Sequence, residues 1–195
     1  MSARDLKIHV DQIRERGLDV SRELPLSELG RMLEVDPPTA FIASGPARVE
    51  AHLSKLNERE ILLQGSLVAP LSTECRRCLK PVASPLEVAF SLELVDREER
   101  RALEAKDAAD DGQAPVAGSF APEEADEFFF SGKEIDLFPV LQEQLLLALP
   151  ADALCDEACR GLCQICGKNL NEGECGCDRK IPDPRLAGLK DIKLS

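Results

Sequence analysis

Six of the chain's eight cysteines lie between Cys155 and Cys177, in "CDEACRGLCQICGKNLNEGECGC"; the other two, Cys75 and Cys78, form "CRRC". The tail stretch is too short and too polar to bury a core of its own, so without a metal it is expected to stay unfolded. Within it, "CQICGKN" (Cys163 to Asn169) has the shape C-x2-C-G. Two thiolates two residues apart can grip one ion, and the glycine lets the backbone turn so that amides point at the sulfurs. Cys175 and Cys177 supply a return pair after eight intervening residues. Thiolates in this number and spacing suit tetrahedral Zn2+, the expected cofactor, with Cys163, Cys166, Cys175 and Cys177 as leading ligands. Six thiols exceed the needs of one ion. Cys155 or Cys159 could replace one member, and a second site would join Cys75 and Cys78 to Cys155 and Cys159. Free thiols in an unfolded tail, or a redox disulfide, are the competing readings.

Compartment bears on that choice. The N-terminal "MSARDLKIHVDQIRERG" carries charges every few residues and has no apolar run of signal-peptide length. The most apolar segment, "LFPVLQEQLLLALP", is too short and too polar to span a bilayer. The expectation is a soluble cytoplasmic protein, where reducing conditions disfavour structural disulfides.

Several function classes lose support. The net charge is −12, from 36 acidic and 24 basic residues, which excludes a uniformly basic nucleic-acid surface but not a local patch. Aromatic residues make up 4%, with no Trp and no Tyr, so stacking of bases on rings has little material. There is no Gly-rich phosphate loop, H-E-x-x-H or G-x-S-x-G. His9 and His52, the two histidines, sit in alternating strand patterns and read as rim residues. No enzyme and no small-molecule substrate are expected, since an all-cysteine zinc site leaves no open coordination position.

Periodicity indicates an α+β fold: an antiparallel strand-rich meander or small barrel, a packing helix, and a zinc-knuckle-like C-terminal tail. "DLKIHVDQI" (Asp5 to Ile13) alternates as a strand, and "PLSELGRMLEV" reads as a short helix capped by Ser27. "ARVEAHLSKL", "ILLQGSLVAPL" and "LEVAFSLELV" read as three strands, with Gly65 marking a bulge or a close backbone approach. "EFFFSGKEIDL" suggests two short strands about a Ser131-Gly132 turn. "DLFPVLQEQLLLALP" reads as a helix capped by Asp136, with Pro139 in its first turn. Its apolar face is Val140, Leu141, Gln144, Leu145 and Ala148, widened by Leu137 and Leu147, and Pro150 ends it. The expected domain is residues 1–150, followed by a cysteine-rich zinc segment at 151–180 and a tail at 181–195. Residues 97–125 read as a disordered acidic insertion; the stretch Asp96 to Glu127 holds eleven acidic residues against four basic ones.

"CRRCL" after a strand pair, then "EIDLFPVLQEQLLLALP", then the cysteine-rich stretch resembles the YceD family over nearly the whole chain. Family members are linked to accumulation or processing of the 23S large-subunit ribosomal RNA, and some lack the cysteine tail. The resemblance implies a non-enzymatic ribosome-biogenesis role, with large-subunit rRNA, a pre-ribosomal particle or a ribosomal protein as partner; it transfers no catalytic residues. Arg76 and Arg77, adjacent on a tight turn, are the candidate RNA contacts, helped by Arg160, Lys168, Arg179 and Lys180. The alternative is a zinc-ribbon-like adaptor that binds a protein and touches no RNA. A thiol redox role for Cys75 and Cys78 is the third reading; neighbouring arginines would favour a thiolate there, but no helix N-terminus is in sight.

Overall fold

Alternation of apolar and polar residues builds the central sheet of this computed structural model, which describes residues 6–57, 60–98 and 127–178. In β4 (Ala47–Lys55) Ala47, Val49, Ala51 and Leu53 turn inward, and in β5 (Glu60–Ala69) Ile61, Leu63, Leu67 and Ala69 do the same. Each fully buried leucine of this set contributes about 2 kcal/mol through apolar area removed from water. Gly65 lies opposite Ala51, and a Cβ on it would sit 2.4 Å from the Glu50 carbonyl oxygen. The glycine therefore marks a close backbone approach.

The sheet has five strands in the order β2 (Leu18–Leu24), β4, β5, β8 (Leu86–Asp96) and β9 (Glu127–Phe130). β2, β4, β5 and β8 are antiparallel, and β9 joins β8 in parallel. The barrel option is thus corrected: the described strands form this five-stranded sheet, a three-stranded sheet and a two-stranded sheet, and none of them closes into a barrel. β1 is only Lys7–His9, shorter than the alternation suggested. A 3-10 turn at Val10–Gln12 follows, stabilised because the His9 ring accepts from the Asp11 amide while the Gln12 side chain accepts from the His9 amide.

The Ser131-Gly132 turn forms, with Gly132 at φ +74 and Ser131 bridged to Glu134. The two strands it joins then part. β9 extends the large sheet, while β10 (Glu134–Asp136) pairs with β1 so that Ile135 faces Ile8. "FFF" has no alternation to reveal this division.

α1 (Leu26–Leu33) starts on Pro25 and has no side-chain cap, so Ser27 does not serve as one. It buries Leu29, Met32 and Leu33 but leaves Leu26 exposed. α2 (Leu137–Leu147) begins at Asp136, whose carboxylate accepts from the Phe138 amide at 2.9 Å. Leu137, Val140, Leu141 and Leu145 are buried, whereas Leu147 is 73% exposed and so lies off the buried face. α2 packs on α1, β1 and β8. The Gln142 side-chain amide donates to the Met32 carbonyl, and the Arg31 guanidinium lies 5.1 Å above the centre of the Phe138 ring.

The chain forms two compact units. The larger is residues 1–73 and 83–151; the smaller is residues 74–82 and 152–195. Residues 74–82, which carry "CRRC" and fall within the expected domain 1–150, belong to the smaller unit. They run from the last residue of β6 (Leu71–Glu74), which pairs with β3 (Ile42–Ala43), through the "CRRC" turn into β7 (Pro81–Ala83). The acidic insertion beyond Glu98, the tail at 181–195, Arg179 and Lys180 lie outside the described residues.

Candidate metal centres

The smaller unit is built on two turns with the same backbone pattern. In the first, the Cys75 amide donates to the Lys80 carbonyl at 2.8 Å and the Leu79 amide to the Cys75 carbonyl at 2.9 Å. In the second, the Cys163 amide donates to Lys168 at 2.9 Å and the Gly167 amide to Cys163 at 2.8 Å. The residue after the second cysteine has positive φ in both, +58 at Leu79 and +72 at Gly167. "CRRCLK" and "CQICGK" are therefore two copies of one knuckle. Backbone amides turn toward the leading sulfur in each. The Cys75 thiol is lowered to about 6, first by the Cys155 amide and also by the Cys78 and Arg77 amides. The Cys163 thiol is lowered to about 6 by the amides of Cys166 and Ile165.

Each knuckle gathers two further cysteines. The sulfurs of Cys75, Cys78, Cys155 and Cys159 lie within 4.8 Å of one another, and so do those of Cys163, Cys166, Cys175 and Cys177. Both the leading set and the second set from the spacing come together, and Cys155 and Cys159 fall in the second set rather than substituting in the first. With metal–sulfur bonds of about 2.3 Å, tetrahedral zinc holds its ligands about 3.8 Å apart. The Cys75–Cys159 and Cys78–Cys155 sulfurs are 3.9 and 3.5 Å apart, which fits such an ion and is far too long for disulfides. A redox dithiol needs an accessible attacking sulfur, and Cys75 and Cys78 are 0% and 4% exposed. Crowding of thiols shows in the remaining members: Cys78 pushes Cys155 up to about 12, and Cys166 does the same to Cys177. An ion at each centre would remove that conflict by binding all four as thiolates.

Surrounding groups hold the first quartet in place. The Asn171 side-chain amide donates to the Cys159 sulfur at 3.3 Å, while its oxygen accepts from the Arg160 amide at 2.7 Å. The Asn171 contact is the first cause of a lowered Cys159 thiol. Gly161, at φ +72, lies against the Arg77 carbonyl, where a Cβ would come within 2.9 Å, and the Leu162 amide donates to that same carbonyl. Among the described residues, the partly buried hydrophobics Val82, Leu154 and Leu162 pack against the buried Cys75, Cys78 and Cys159, a very small apolar cluster.

The candidate RNA contacts divide. Arg77 donates through Nη1 to the carbonyls of Glu157 and Cys159 at 2.9 and 3.0 Å, which ties the "CRRC" turn to the cysteine-rich segment. Arg76 points outward, its side chain 69% exposed and ion-paired with Asp152. Lys168 donates to the Glu174 carbonyl, and Arg160 pairs with the Glu174 carboxylate. His9 is exposed and His52 half-buried, the latter with its Nδ1 2.7 Å from the Asp19 carboxylate.

A family model described as "Large ribosomal RNA subunit accumulation protein YceD" matches residues 63–193, about two thirds of the chain and all eight cysteines. The chain belongs to the YceD family. Among relatives, this YceD chain is 26% identical over 145 residues to the Arabidopsis thaliana protein "Large ribosomal RNA subunit accumulation protein YCED homolog 1, chloroplastic". That alignment covers 70% of this chain and 45% of the plant protein. The Zea mays protein of the same name is 28% identical, over 76% of this chain and 53% of its own length. The YceD chain thus spans about half the length of these two relatives. An uncharacterized protein of Mycobacterium tuberculosis is 30% identical over 89% of this chain and 68% of its own. No solved structure matches. Among the described residues, no helix is long and apolar enough to cross a membrane.

Proposed function

We propose that this YceD chain is a non-enzymatic cytoplasmic factor in ribosome biogenesis, supporting accumulation or processing of the 23S large-subunit ribosomal RNA, with two Zn2+ ions shaping its smaller unit. The observation that carries the reading is the family match across residues 63–193, which includes both quartets. Its description and the names of the plant relatives concern accumulation of large-subunit rRNA. The donors of each quartet are all sulfur, which favours zinc among common divalent ions. Four thiolates close the coordination sphere, so the metal's part is to hold a surface in shape rather than to activate water.

The partner in this reading is large-subunit rRNA or a pre-ribosomal particle, met by the knuckle surface. Arg76 is the outward cation and the phosphate contact. Arg77 keeps Nε and Nη2 for a second contact while Nη1 holds the fold. The adaptor reading, in which the same unit binds a ribosomal protein and no RNA, draws support from the pairing of Arg76 with Asp152 and from the net charge of −12.

Sedimentation of tagged protein through a gradient, with sequencing of crosslinked RNA, tests the choice. Cosedimentation with large-subunit precursors and crosslinks to 23S rRNA are expected. Arg76→Glu should weaken particle binding and flatten its salt dependence by about one unit of slope, the signature of one lost phosphate contact. Wild-type protein that captures a ribosomal protein but crosslinks to no RNA establishes the adaptor reading instead.

A further inference from the structure

The two quartets share a knuckle but differ in cover. In the first, Cys75, Cys78 and Cys159 are 0%, 4% and 5% exposed, and only Cys155 is open to solvent. In the second, Cys163 alone is buried; Cys166 is exposed, and Cys175 and Cys177 are half-buried. The first is braced from several directions: Arg77 binds two carbonyls, the Arg76 amide donates to Ala153, and Asn171 holds the Cys159 sulfur. The return pair of the second lies on residues 173–178, which form no helix or strand and carry Gly173 and Gly176 at positive φ. A Lys168 bond to the Glu174 carbonyl and a long Arg160 pair with the Glu174 carboxylate steady that stretch.

Exchange of a metal from four thiolates proceeds through attack by an incoming ligand as one sulfur lets go. Its rate follows access to the ion and the freedom of the ligands to swing away. From this asymmetry we propose that Cys163, Cys166, Cys175 and Cys177 form an exchangeable site for a thiophilic divalent ion, while Cys75, Cys78, Cys155 and Cys159 hold theirs permanently. The inference rests on the reading that both quartets bind metal. The outer ion then couples the order of residues 173–178 to the supply of free metal, and Asn171, in the 3-10 turn Leu170–Glu172 just before that stretch, touches the inner site directly.

The test uses the full chain loaded with zinc under reducing conditions and challenged with excess of a colorimetric zinc chelator. Released metal is followed in time, and a thiol-alkylating reagent with mass mapping shows which cysteines become free. One equivalent is expected to leave at least tenfold faster than the second, with early alkylation at Cys166, Cys175 and Cys177 and protection of Cys75, Cys78 and Cys159. Cys177→Ser should remove the fast phase and keep the slow one; the alkylation map of the unaltered chain decides the matter even if that variant misfolds. Two equivalents leaving together, or early alkylation in the inner quartet, overturn the proposal. A reduced chain that takes up no zinc overturns the metal reading beneath it.

Discussion

Leu79 holds the position that glycine holds in the second knuckle. Its φ of +58 crowds the Cβ against the backbone, at a cost of about 1–2 kcal/mol for an L-residue with a side chain. The residue is 56% exposed, so little packing offsets that cost. Leu79→Gly should therefore raise the stability of the smaller unit by up to about 1 kcal/mol, the larger chain entropy of glycine taking back part of the gain. Leu79→Val should lower it; denaturant titration followed by metal release measures both. The same residue explains why one centre was easier to see in the sequence. C-x2-C-G announced the second knuckle, whereas "CRRCL" lacks the glycine, and its partners lie 77 and 84 residues away. Arg77 was legible as a cation on a turn, but its carbonyl partners at Glu157 and Cys159 are too distant in sequence for spacing to indicate.

At the level of elements, period-two patterning read β4, β5 and β8 well because one face of each is buried. The parting of β9 and β10 into different sheets depends on which edges are vacant, which no local pattern encodes. The cap of α2 was legible because Asp136 precedes an apolar run, whereas Ser27 matched the same rule and the chain began α1 on Pro25 instead. Asp136→Ala should destabilise the larger unit by about 1 kcal/mol through loss of the bond to the Phe138 amide. Thermal unfolding monitored by far-UV circular dichroism checks this; no change would mean that water satisfies the amide equally well.

For the whole molecule, acidity and metal occupancy are linked through the thiols. Cys155 and Cys177, held up to about 12, carry protons at neutral pH that a bound ion must displace. Cys75 and Cys163, at about 6, are already ionised there and take up protons only in more acidic solution. The metal-bound state therefore holds fewer protons, and affinity must fall as pH falls. The loss should be about tenfold per displaced proton per pH unit, steepening below pH 6. Zinc competition assays at several pH values, with two ions per chain expected at neutrality, test this; a flat profile would show that thiol deprotonation is not coupled to binding.

The chain leaves the larger unit at residue 73, returns at 83, and leaves again after 151. An ion joining Cys78 to Cys155 therefore fastens both ends of the 83–151 stretch, as a clasp fastens a necklace. While the clasp holds, that stretch can unfold only as a closed ring, which has fewer conformations than an open chain. By analogy with a covalent cross-link over a loop of this size, the restriction is worth up to about 4 kcal/mol to the larger unit, though none of the eight cysteines lies in it. An engineered protease site between β8 and β9, cut after folding, would open the ring and leave every sulfur in place. The larger unit should then melt at a lower temperature while both ions stay bound; an unchanged melting temperature would show that the clasp carries no such tension.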